Sequence, residues 1–484
     1  MSVGSIVKSP PVGPNVRPSA AVQRYTSSSA AEQTAAGRAA RHVLPRADLA
    51  SWKPSPARPD PVELLRDQEA TRVPELLPIR HERMLASPFA FYRGAAAIMA
   101  SDLATGTQSG LLVQCCGDAH LANFGGFAAP DRALVFDIND FDETHPGPFE
   151  WDVMRLAASL EIAARAHSAS RKASRGIVEH AVRTYRKAMR RFATISDLDL
   201  WYARLDVPAV LKRWRRAMPT TEIARLDRWI AKGGAKDSLK ALEKLTSHVN
   251  GEVRIVSDPP LVVPLDELLP GDQADRLRDR LSAQIRTYLR SIPNDRRRLL
   301  QRFRLVDFAR KVVGVGSVGM QSWIALLVGA DDGSPLFLQV KEADSSVLER
   351  YTRKSEFANH GRRVVEGQRL LQAASDILLG WSRASADDGG GDYYVRQLWD
   401  RKLSPHVDVL SDDILKVYAE MCGWALARGH ARSGDRIAIA AYLGSSNVFD
   451  RALSLFASVY ADQNQRDYES VAAAVHAGKL GAAG

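Results

Sequence analysis

The sequence is poor in cysteine, contains no long apolar run and shows no internal repeat. Three cysteines, two of them adjacent at Cys115 and Cys116 and the third at Cys422, make neither a disulfide framework nor a metal-ligand spacing. No zinc is expected, and a reducing compartment fits. No stretch reaches the roughly 18 uninterrupted apolar residues of a spanning helix, and the start lacks a run suited to a signal peptide. A cytoplasmic location without a membrane partner is therefore expected. Large apolar residues are scarce from Met1 to about Asp60, where Pro, Ala, Ser and Gly dominate. Such a stretch buries too little surface to offset its ordering entropy, so residues 1–60 read as a disordered arm.

What remains has the composition of a soluble globular protein: 484 residues, 45% hydrophobic and 25% charged, enough for two or three cores. The net charge of +10 raises the prospect of a polyanionic partner. The basic residues, however, are spread through helical segments such as Tyr185 to Arg191 and Arg296 to Arg304, where a charge run reads as a solvated helix face. A nucleic-acid partner is not expected.

Periodicity divides the chain. Residues 61–304 are mainly helical, interrupted by an aromatic, proline-containing turn at Arg83 to Gly94 and by two short strands, Leu111 to Gln114 and Ala133 to Ile138, with turn signals at Gly125-Gly126 and Pro130-Asp131 between them. Residues 305–400 change to strand period: a strand from Asp307, a glycine turn, Trp323 to Val328, Leu336 to Lys341, a helix through Val364 and Leu371, then Tyr393 to Leu398. Residues 401–484 return to helix.

Two short segments carry chemistry. In Gly117-Asp118-Ala119-His120-Leu121-Ala122-Asn123, a carboxylate and an amide five positions apart follow a buried strand. Asp118 is placed to accept a proton from a hydroxyl nucleophile, and Asn123 to offer a neutral oxygen to a metal. His120 can polarise the loop or a phosphate, or simply hold the loop. A polar turn bonded to its own backbone is the plainer alternative. Downstream, Asp137, Asp140 and Asp142 bring three carboxylates to the end of one strand, which favours a cation among them. Mg²⁺ is the simplest such cation. Strand alternation separates Asp137 from Asp140, so Asp140 is the expected ligand and Asp137 the alternative. An acidic surface turn would explain the same residues.

Almost two hundred residues later, Gly314-Val315-Gly316-Ser317-Val318-Gly319 runs into the strand Ser322 to Val328 rather than into a helix. That context favours a phosphate-covering hairpin over a dinucleotide-binding turn, with a structural glycine turn as the third possibility. Lys341 closes a mostly apolar strand and needs an anion if it points inward. A nucleotide phosphate and Glu366 are the expected partners, with Glu356 second, unless the lysine is exposed.

With these residues in view, the catalytic segment resembles that of the aminoglycoside-phosphotransferase and protein-kinase-like superfamily. The whole body from about Leu64 to Tyr468 is similar to the bacterial family called domain of unknown function 2252, marked by FYRGAA, GVGSVGM, LQVKEA, VVEGQRLLQAASD and ALARGHARSGD. The resemblance implies Asp118 as catalytic base, Asn123 and Asp140 on Mg²⁺, Gly314, Gly316 and Gly319, with Ser317 among them, over the phosphates of ATP, and Lys341 on the α- and β-phosphates with Glu366 pairing it. It also implies that Asp152 braces the catalytic loop. Cys116 stands where such kinases often have histidine, and Asp142 replaces the last glycine of the protein-kinase triplet, which points away from a protein kinase more than from a phosphotransferase. Because the glycine loop follows the catalytic segment, the implied fold is α+β: a two-lobed protein-kinase-like fold, circularly permuted, helical large lobe first and small antiparallel β lobe second. The implied activity is ATP- and Mg²⁺-dependent phosphoryl transfer to an unknown small-molecule or protein acceptor. Nucleotidyl transfer from the same site, a nucleotide-binding pseudokinase scaffold and a polyanion binder without catalysis are the alternatives.

Overall fold

The computed structural model describes residues 28–167, 169–214, 223–224, 245–249, 252–330, 335–385, 390–398 and 410–480. Residues 1–27 of the expected arm, residues 215–222 and 225–244 of the region expected to be helical, and residues 399–409 therefore lie outside the described residues.

The chain opens with α1 (Ala30–Val43), α2 (Pro61–Glu69), α3 (Leu77–Leu85), α4 (Pro88–Gly94) and α5 (Ala96–Ala104). Ser29 begins α1 with a capping box, its hydroxyl accepting from Glu32 N–H while the Glu32 carboxylate accepts from Ser29 N–H. Helix α1 packs on a C-terminal helix through Arg41, whose guanidinium donates to the Tyr442 carbonyl at 2.7 Å. This corrects the expectation of a disordered arm for residues 30–60: alanine-rich sequence with small buried faces at Gly37 and Ala40 docks closely where bulkier residues would not. The turn expected across Arg83 to Gly94 is confined to Ala86 and Ser87, because Ser87 caps a new helix at Pro88.

Four short strands follow: β1 (Leu112–Cys115), β2 (Phe124–Ala128), β3 (Leu134–Ile138) and β4 (His145–Pro148). Strands β1 and β4 pair antiparallel, as do β2 and β3. Gly125 and Gly126 thus belong to β2 and not to a turn, since backbone pairing with Asp137 and Phe136 outweighs their weak strand propensity. Next come α6 (Phe149–Ala166) and α7 (Arg171–Phe192). Helix α6 is buried on all sides, which its alanine-rich sequence permits, and forms the core with α7 and the C-terminal helices.

A six-stranded, wholly antiparallel sheet is built from β5 (Val262–Pro264), β6 (Arg304–Lys311), β7 (Ser322–Val328), β8 (Pro335–Ala343), β9 (Gly380–Arg383) and β10 (Asp392–Gln397), in the spatial order β9-β10-β8-β7-β6-β5. A helix preceding β6, α8 (Gly271–Tyr288), covers one face, with Leu281 and Tyr288 against Leu338 and Val340. Alternation then turns Gln339 and Lys341 to the opposite face. That face meets α9 (His360–Leu371), and the chain ends in α10 (Asp412–Ser433), α11 (Arg436–Leu443) and α12 (Val448–His476), which return to the first helical core. The architecture is α+β with antiparallel sheets. Among the described residues no helix is long and apolar enough to cross a membrane.

Candidate functional site

The turn after β1 is fixed by its neighbours. Gly117 has φ +82°, and a Cβ there would lie 2.0 Å from the Glu143 carbonyl oxygen, so only glycine fits. Asp152, in the first turn of α6, accepts the N–H groups of Cys116 at 2.7 Å and Gly117 at 3.1 Å. Its carboxylate is met on the other side by His430 Nε2 at 3.2 Å, and His430 Nδ1 lies 2.9 Å from the Tyr185 hydroxyl. Asp152 therefore ties the loop holding Asp118 to α6 and α10.

Asp118 faces a cavity of about 90 Å³. Burial pushes its carboxyl above the ordinary aspartate range, opposed chiefly by the Arg155 guanidinium, which donates to Asp118 Oδ1. Arg155 is itself fixed, donating to the Tyr92 carbonyl at 3.0 Å with its guanidinium 4.4 Å from the Tyr92 ring centre. Sequence reading missed Arg155; its place one helical turn beyond Asp152 was the available signal. His120 lies in the same cavity, 3.5 Å from Asp118 Oδ2. Burial, aided by Arg93 and Arg155, drives the His120 imidazole well below its usual range, so it is neutral. Asn123 Nδ2 donates to the Asp118 carbonyl at 2.9 Å, which leaves its Oδ1 as the end offered to the cavity.

The three aspartates separate. Asp140 lines the cavity with Asn123. Asp142 also reaches it but forms an ion pair with Lys341 and accepts the Tyr394 hydroxyl at 2.7 Å. Asp137 is buried elsewhere, with Arg428 at 2.7 Å and the Ala373 N–H at 2.8 Å. Asp137 as the alternative metal ligand is thereby corrected: strand β3 turns it toward α10, where an arginine already neutralises it. Among the described residues no group of three His, Cys, Asp or Glu side chains forms a ready-made metal cage. The pair Asn123 and Asp140, one neutral and one anionic oxygen, suits a hard cation that keeps water or phosphate in its other positions.

The glycine turn closes the cavity from the other sheet, with Gly314, Val315, Gly316 and Ser317 in its wall. Gly314 and Gly319 have φ +71° and +94°, and a Cβ on Gly316 would lie 3.1 Å from the Arg93 carbonyl oxygen. Gly319 stands outside the cavity against Arg72, its carbonyl accepting Val73 N–H at 2.8 Å.

Lys341 occupies the middle of the sheet, opposite Ser322 on β7 and Tyr394 on β10. Burial alone would lower its pKa; Asp142 more than reverses this, and the ammonium is held above the ordinary lysine range. The expected Lys341–Glu366 pair is corrected. Glu366 is half-buried on α9 and lies 3.7 Å from Arg369 and 4.0 Å from Arg362, while Glu356 is exposed. Asp142, from the strand-end turn, reaches the lysine first.

Two further cavities flank the central one. One of about 200 Å³ lies between β2, β8, β10 and α9 and is lined by Phe127, Asn139, Val313, Gln339, Gln397 and Leu398 among others. The second, of about 460 Å³, shares Gln68, Arg72, Asp142, Glu143 and Met320 with the central cavity. Glu143, in that shared wall, accepts Val347 N–H at 2.7 Å, and burial pushes its carboxyl up to about 7.

No curated protein and no solved structure matches the chain. The model of one family matches residues 72–474, and this covers every site residue above except Gln68. The chain belongs to that family, the uncharacterized proteins conserved in bacteria (DUF2252).

Proposed function

We propose that the protein is an ATP- and Mg²⁺-dependent phosphotransferase with a kinase-like site assembled in permuted order. The observation that carries this reading is the meeting of two distant segments: Asp118, Asn123 and Asp140 share one cavity with Gly314, Gly316 and Ser317, and Lys341 joins it through Asp142. Each group then has a task. Asp118 orients the acceptor hydroxyl and takes its proton, Asn123 and Asp140 hold Mg²⁺, and the glycine turn covers the phosphates. Lys341 is electrically balanced by Asp142 before ligand binds and turns to the nucleotide phosphates when they arrive. Mg²⁺ would neutralise charge on the transferring phosphoryl group; the residues supply positioning.

The cavity of about 200 Å³ is the proposed seat of the base and ribose, continuing from the central one through the neighbours Asn139–Asp140 and Val313–Gly314. Its Asn139 Nδ2 is buried and has no hydrogen-bond partner, a donor suited to a ring nitrogen. In this reading the helical unit and the six-stranded sheet are the two lobes, and the order strand, glycine turn, two strands, helix, two strands supports the smaller one. The test is incubation with γ-labelled and, separately, α-labelled ATP plus Mg²⁺ and a bacterial extract. Transfer of the γ-label alone is the expected result. Transfer of the α-label would replace this reading by nucleotidyl transfer, and ATP binding without any transfer by a scaffold.

A further inference from the structure

The cavity of about 460 Å³ beside the central one has no task in the reaction as assigned so far. It shares five wall residues with the central cavity, which makes the two spaces neighbours, and none with the proposed nucleoside seat. Its volume is within the range of small-molecule sites, roughly 300–1,000 Å³.

The charged groups of the lining are largely matched within the protein. Asp142 holds Lys341, Glu143 accepts the Val347 N–H, Arg72 donates to the Val318 carbonyl although its buried Nε has no partner, and at the rim Arg350 lies 3.6 Å from Asp67 while Asp344 is exposed to solvent. Recognition then falls to polar groups that are not ion-paired: the Gln68 amide, the hydroxyls of Thr71, Ser345 and Tyr351, and His360, whose Nδ1 is buried without a hydrogen-bond partner. These both donate and accept, which suits a ligand whose groups do the same. Leu64, Ala97, Met320 and Ala343 offer apolar surface for carbon faces.

Resting on the phosphotransferase reading, we propose that this cavity is the acceptor subsite and that the acceptor is a small polyhydroxylated molecule of sugar or polyol type. One hydroxyl projects past Glu143 into the central cavity. Its oxygen forms a bond to the γ-phosphorus as the bond from that phosphorus to the β–γ bridging oxygen breaks. ADP departs with the electron pair, and the hydroxyl proton passes to Asp118.

The experiment divides a bacterial extract into a protein-free small-molecule fraction and a protein fraction, each incubated with γ-labelled ATP, Mg²⁺ and the full chain. It is repeated with Ser345→Trp, at an exposed position of the cavity rim, and Ala97→Trp, which fills the cavity. Affinity for Mg·ATP is measured separately for each protein. The proposal expects label in the small-molecule fraction, and an acceptor KM raised about tenfold or more by the tryptophans while Mg·ATP affinity stays within about twofold. Label found only on protein, or small-molecule labelling unchanged by both tryptophans, overturns it and leaves the phosphotransferase reading standing. Failure of the wild-type chain to bind Mg·ATP overturns both.

Discussion

Asp118 is held by Arg155 on one oxygen and carries the other toward His120 and the cavity. Removing its charge by Asp118→Asn keeps the shape and a polar contact for Arg155, whereas alanine would strand a buried guanidinium. Under the proposed chemistry, Asp118→Asn lowers kcat by about 10²–10⁴-fold with Mg·ATP affinity nearly unchanged, as loss of a general base should. Steady-state kinetics beside a direct binding titration decides it, and an unaltered kcat removes Asp118 from the role of base. Glu143 carries a prediction about stability. Its carboxyl titrates near 7 in the folded chain against an ordinary 4.5, so the folded state binds the proton more tightly. That contribution is fully present below pH 4.5 and is lost as pH rises through 7. Between these limits the wild type should lose about 3 kcal/mol relative to Glu143→Gln, which does not titrate. Urea unfolding of both proteins in metal-free buffer measures the difference, and parallel pH profiles would refute the assignment.

Helix α10 is the element on which the site leans. Arg428, His430 and Arg432 lie on its last two turns and reach, in order, Asp137, Asp152 and the Gln372 carbonyl, so one helix fixes the strand β3, the loop of Asp118 and the end of α9. Arg428→Met leaves the buried Asp137 carboxylate without its cation and should cost about 3–5 kcal/mol of stability; adding Asp137→Asn should recover a large part. Equal losses in the single and double variants would show that the pair is not coupled. The turn from Asp118 to Asn123 was legible because its residues act within one loop, and the strands and the terminal helices were legible from their periods. The partners were not, because Lys341 with Asp142, Arg155 with Asp118 and Arg428 with Asp137 are chosen by packing between segments up to hundreds of residues apart. Glu366 lies on the helix that follows the strand of Lys341, yet Asp142 enters from another element and takes the place.

At the scale of the molecule, the N-terminal helices act on the glycine turn. Arg83 donates to the Gly314 carbonyl at 2.7 Å, Arg80 to the Gly316 carbonyl at 2.6 Å and Arg72 to the Val318 carbonyl, while Val73 N–H meets the Gly319 carbonyl at 2.8 Å. The carbonyls are thereby drawn toward α2 and α3, and the turn is held by a part of the chain remote in sequence. Its irregular arginine spacing gave no periodic signal. Arg80 is the most enclosed of the three, and burial lowers its pKa to about 9, with Arg72 adding to the effect and Glu69 opposing it. Replacing it by methionine keeps most of the volume and removes the one charged hydrogen bond that Arg80 makes to the turn, worth about 1.5–3 kcal/mol, together with its contacts to Gln68 and Glu69. The loss should appear as local opening of the turn, because β6 and β7 on either side retain their pairing. Amide hydrogen exchange at residues 314–320 should therefore accelerate by about 10–100-fold in Arg80→Met while strands β7 and β8 exchange as before, and Mg·ATP should bind more weakly. Unchanged exchange at the turn would mean that the glycines hold their own conformation and that the N-terminal helices merely lie against them.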